Sequence, residues 1–127
     1  MENKIVFENI ILDDAPLEKI MFDASTGNLI FEADLENEQR ISFIFKTIRG
    51  MKQSPSLLFD RAKHYINNEY KKTVIQIHDS DWIVKIKEAE LSEGERISNK
   101  LEHYLIPSDD WVWEILANDC QIITRRI

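Results

Sequence analysis

The residues best suited to chemistry in this chain lie around two short acidic stretches. His78, Asp79 and Asp81 offer nitrogen and oxygen ligands of a kind that suits a divalent ion, and Asp109 and Asp110 would join them if the two turns lay side by side. Aspartate and serine in a tight turn also bond their own nearby backbone amides, which explains the same residues with no metal. The stretch is therefore read as turn chemistry, with neither metal nor cofactor. Nucleophilic catalysis needs a serine or cysteine beside a histidine that a third group holds, and no Gly-x-Ser-x-Gly elbow marks such a site. His64, His78 and His103 fall in unlike places: an expected helix, a strand end and a strand interior. Gly27, Gly50 and Gly94 are isolated, so no loop cradles a phosphate. The adjacent carboxylates Asp13-Asp14 and Asp109-Asp110 have no apolar setting in the sequence that would tune them for acid-base work. Cys120 is the only cysteine, which excludes an internal disulfide, and its apolar neighbours Ile122 and Ile123 make it a structural thiol on a strand. No enzyme activity is expected from this inventory.

Two features suit binding instead. Glu32, Asp34 and Glu36 alternate along one strand face, about 6.6 to 6.8 Å apart, and make a template for a partner's lysines or arginines. With Asp13, Asp14 and Glu38 they form the candidate partner-binding set, weighed against an ordinary solvated strand face. Trp82, Trp111 and Trp113 are the residue type enriched at interface anchors, although inward strand positions would place them in a core.

Whatever these residues do, a small scaffold must position them. At 127 residues, 43% apolar and 31% charged, residues 1–127 are expected to form a single globular domain. No apolar run reaches membrane-spanning length, and Met1-Glu2-Asn3-Lys4 lacks the form of a secretory signal, so a cytoplasmic protein with no membrane contact is expected. The net charge of −7 is uneven. Residues 1–38 hold ten acidic residues against Lys4 and Lys19, a balance of −8, while the remaining 89 residues hold thirteen acidic against fourteen basic, or +1. Such a surface disfavours nucleic acid and anionic lipid and favours a basic partner or simple solubility.

The elements read as strands with one helix. Lys4–Leu12 is a strand closed by Asp13-Asp14-Ala15-Pro16. Lys19–Asp23 and Asn28–Glu36 form a hairpin about Gly27, and Arg40–Ile48 completes a meander of four strands. Ser54–Asn67 has helical spacing, with Ser54 as cap and Pro55 at the first position. Strands resume at Lys72–His78, Trp82–Ala89, Leu101–Ile106, Trp111–Ala117 and Cys120–Arg125, while Leu91–Lys100 is a loop or a short helical turn. Gln76–Ile86 and Tyr104–Ile115 echo one another as apolar strand, Ser/Asp turn, Trp and apolar strand, which reads as two similar hairpins. The fold class expected is mainly β (α+β): an antiparallel sandwich or curled sheet of eight to nine strands with one amphipathic helix.

In size, acidity, β-rich layout and the stretch Leu101-Glu102-His103-Tyr104-Leu105-Ile106-Pro107-Ser108-Asp109-Asp110-Trp111-Val112-Trp113-Glu114-Ile115-Leu116-Ala117, the chain resembles the small acidic immunity proteins that bacteria make against their own polymorphic or contact-delivered toxins. That resemblance implies a non-enzymatic protein that binds and neutralises a basic toxin domain. Three other classes compete with it: last an enzyme, which would require His78, Asp79 and Asp81 to converge with another acidic residue in a cleft, and before it two non-catalytic roles. One is a β-sandwich or barrel module holding a small apolar ligand in an internal pocket, and the other is a structural homo-oligomer joined through an apolar sheet edge or face.

Overall fold

The computed structural model describes residues 3–10, 19–35, 39–55, 65–66, 69–70, 73–94, 100–107 and 111–126. In chain order the elements are β1 (Lys4–Ile5), β2 (Lys19–Asp23), β3 (Asn28–Leu35), β4 (Gln39–Lys46), β5 (Gly50–Pro55), β6 (Tyr65–Ile66), β7 (Glu69–Tyr70), β8 (Ile75–Ile77), α1 (Asp81–Ser92), β9 (Glu102–Pro107), β10 (Trp111–Ala117) and β11 (Asp119–Arg126). One sheet runs β1-β8-β9-β10-β5, a second runs β11-β4-β3-β2, and β6 with β7 makes a separate ribbon. Every strand pair is antiparallel. The fold is mainly β, with nine strands in two sheets and a single helix among the described residues, as the patterning predicts.

The four-stranded sheet follows directly from the two-residue period. Leu29, Phe31, Ala33 and Leu35 of β3 are buried, and Ile41, Phe43 and Phe45 of β4 lie beside them. Gly27 turns β2 into β3 at φ +72°, a backbone conformation that glycine adopts without strain. The five-stranded sheet packs against this face. Phe31 meets Trp113 edge-on at 5.4 Å and Phe45 meets Tyr104 at 5.5 Å, so aromatic rings of both sheets fill the space between them. The five-stranded sheet is also covered on its other face, where Ile75, Ile77, Leu105 and Val112 form a second apolar cluster. Burial on both faces explains why all of 103–107 in β9 is buried.

Four expectations are corrected. The strand expected at Lys4–Leu12 contributes only Lys4–Ile5, which pairs with β8 in the other sheet, and the meander of four strands becomes β2-β3-β4 flanked by β11. Beyond Ile5 the chain bends, with Asn9 at φ 66°, and Ile11 and Leu12 lie outside the described residues. Ser54 and Pro55 do not start a helix. They close β5 opposite Val112 and Trp111, and Tyr65–Ile66 pairs with Glu69–Tyr70; residues 56–64 lie outside the described residues. Because β5 is an edge strand, the missing N–H of Pro55 is tolerated there. Trp82–Ala89 is not a strand but most of α1, so the first member of the echo is strand, turn and helix, whereas the second is the β9–β10 hairpin.

Candidate functional site

The site is built on the outer face of the five-stranded sheet, away from the second sheet. β8 ends at Ile77, and a two-residue turn, His78 and Asp79, redirects the chain into α1; Asp79 takes φ 52°, within the left-handed range that aspartate tolerates better than most residues. The His78 N–H donates to Asn3 Oδ1 at 2.9 Å, which ties this turn to the N-terminal segment. Ser80 then caps the helix. Its Oγ accepts the Ile83 N–H at 3.2 Å and lies 2.7 Å from His103 Nδ1. On the other edge of the imidazole, Nε2 lies 3.0 Å from Glu114 Oε1.

In the neutral imidazole, a carboxylate at Glu114 pairs with Nε2–H and Nδ1 then accepts the Ser80 hydroxyl proton, whereas a protonated ring would donate from both nitrogens. Ser80 and His103 are largely buried, at 8% and 5% exposed, and Glu114 is partly so. His103 on β9 and Glu114 on β10 reach one face because the hairpin register pairs Leu116 with His103 and Glu114 with Leu105. Lys52 stands opposite Glu114 on β5, with its Nζ 4.0 Å from the centre of the Trp82 ring. The indole meets the His103 ring edge-on at 5.3 Å. Gly50 lies beneath it, where an added Cβ would come within 2.6 Å of Trp82 Cζ2. Ser80, His103, Glu114, Lys52, Trp82 and Asn3 line a cleft of about 400 Å³, within the usual size range of small-molecule sites.

The residues singled out from sequence are placed as follows. His78, Asp79 and Asp81 also line this cleft, and among the described residues no three His, Cys, Asp or Glu side chains group closely enough to hold a metal. His64, Asp109 and Asp110 lie outside the described residues, as do Asp13, Asp14, Glu36 and Glu38. Glu32 and Asp34 project from the outer face of the four-stranded sheet, where each faces an arginine. The Arg40 Nε donates to Asp34 Oδ1 at 3.0 Å, and Arg125 Nη2 lies 3.7 Å from Glu32 Oε2. Trp113 is packed on Phe31, whereas Trp111 is exposed. Cys120 is buried in the core, and burial pushes its thiol far above the ordinary cysteine range.

Sequence reasoning missed the Ser80–His103–Glu114 relay. Two signals for it were present: the capping spacing of Ser80 ahead of Ile83, and the β9–β10 hairpin, whose register brings His103 and Glu114 to one face. Compared with known proteins, the chain matches no family model, no curated protein and no solved structure.

Proposed function

We propose that this chain is a cytoplasmic binding protein that captures a basic protein partner and blocks its active surface, in the manner of the immunity proteins it resembles. The observation that carries this reading is the charge division, −8 over residues 1–38 against +1 over the rest. An acidic excess of this kind favours a basic partner and selects against others, while a few buried anchors supply affinity. The sandwich supports a surface role, since rings from its own two sheets occupy the space where an apolar ligand would lie. Among the described residues, no helix is long and apolar enough to cross a membrane.

The test is to tag the chain in its own host, recover what stays bound at high salt, and assay the recovered domain with and without the chain. A basic domain that loses its activity on binding supports the reading; a clean homo-oligomer with no partner overturns it. One observation favours that second reading. Ile20 and Phe22 on the edge strand β2, and Met51 on the edge strand β5, are exposed apolar side chains at sheet edges. A mass that rises with concentration in sedimentation would support assembly through these edges.

A further inference from the structure

The relay over the cleft has the parts of a nucleophilic site. We propose that Ser80 is an activated nucleophile and that the cleft performs acyl transfer on small esters, an activity separate from partner capture. The cleft lies on the outer face of one sheet, whereas Glu32 and Asp34 lie on the outer face of the other.

Geometry supports each role. A hydroxyl has two acceptor lone pairs, and Ser80 Oγ gives one to the Ile83 N–H, so the second is free to attack while its proton points at His103 Nδ1. His103 is the general base. Either imidazole nitrogen can serve, because the bond made by the other one sets the tautomer, and here Nε2–H is held by Glu114. Glu114 is a positioning residue that also stabilises the imidazolium. Because Ser80 caps α1, the N–H groups of Asp81 and Trp82 have no intrahelical partner, and they sit at the positive end of the helix next to the nucleophile. They are the donors available to a developing oxyanion.

In the forward step the Ser80 Oγ–carbon bond forms, the hydroxyl proton passes to Nδ1, and the carbonyl π electrons move onto oxygen. As the carbonyl re-forms, the ester C–O bond breaks and the departing alkoxide takes the proton from Nδ1 as an alcohol. Water, deprotonated by the same nitrogen, then attacks the acyl-Ser80 ester and releases a carboxylic acid and the free serine. Lys52 and Trp82 both line the cleft, with the Lys52 Nζ 4.0 Å from the centre of the indole.

The experiment uses the full-length native protein with two probes, a fluorophosphonate and 4-nitrophenyl acetate. Peptide mass mapping is expected to find one adduct, on Ser80, when the probe is added in native buffer and none when it is added in urea. H103Q should abolish the adduct, whereas E114Q, which still accepts from Nε2–H but lacks the charge, should slow labelling at least tenfold and displace its pH profile. Because mapping is done on the unmodified chain, the result does not depend on whether S80A folds. Absence of a Ser80 adduct in protein whose near-ultraviolet circular dichroism shows native packing would overturn the proposal, as would labelling that is equal in urea or in folded H103Q.

Discussion

Ser80 makes two hydrogen bonds at once, one that starts α1 and one that fixes the imidazole of His103. Removing the hydroxyl therefore has two consequences. Loss of a serine cap costs about 1 kcal/mol, and leaving the buried Nδ1 unpaired costs about 1–3 kcal/mol more. S80A should lower the unfolding free energy by about 2–4 kcal/mol in urea titration; a loss below about 0.5 kcal/mol, the range of neutral surface changes, would show that neither bond matters in solution. Cys120 gives a second prediction at this scale. The thiolate is the reactive form, and burial raises this thiol far above its ordinary range with Asp119 adding to the effect, so almost none is ionised near neutrality. Folded protein should resist iodoacetamide at pH 8, while urea-unfolded protein should alkylate fully, as intact mass would record.

Elements that depend on one face were legible, and those that depend on a neighbour were not. The run from Leu29 to Leu35 alternates because one side meets the core and the other solvent, and it became β3 with the register its hairpin implies. Trp82, Ile83, Val84 and Ile86 satisfy a strand and a helix alike. In the fold the inward stripe is Trp82, Ile83, Ile86, Lys87 and Glu90, with the spacing of a helix resting on a sheet. Ser54 and Pro55 carry the marks of a helix start, yet pairing with β10 places them on a sheet edge. The relay was hidden for the same reason, since Ser80, His103 and Glu114 become neighbours only once α1 is laid on β9 and β10. The β2–β3 turn yields a prediction of its own. The Asp23 carboxylate accepts the Ser25 hydroxyl at 2.7 Å and the Ser25 N–H at 3.0 Å, and these bonds lower its pKa below the usual 3.8. A lowered pKa stabilises the fold above the unfolded value, and that stability is lost as pH falls through the folded one. D23A should thus be less stable than the parent at pH 7, and the gap should narrow below about pH 3.8. Chemical denaturation at both pH values tests this, and a gap independent of pH would mean the charge is not involved.

On the scale of the whole molecule, the acidic excess and the sheet that displays part of it have to be reconciled. The register places Asp23, Glu32, Asp34 and Asp119 on the outer face of the four-stranded sheet together with Lys19, Arg40, Lys46 and Arg125, four acids and four bases. This face is therefore balanced in its described part, and a basic partner that used Glu32 and Asp34 would have to compete with Arg40 and Arg125 for them. Two variants separate the contributions. If capture uses this face, reversing Glu32, Asp34 and Glu36 to lysine should weaken the partner about tenfold or more, since exposed charge pairs contribute about 0.2–1 kcal/mol each and reversal turns attraction into repulsion. R40A with R125A should act the other way, freeing both carboxylates and raising the association rate, with the gain fading as salt screens it. Affinity and rate measured by surface plasmon resonance at low and high salt decide the matter. Opposite shifts in the two variants would locate capture on this sheet. If neither variant moves the rate, the contact must lie elsewhere on the molecule.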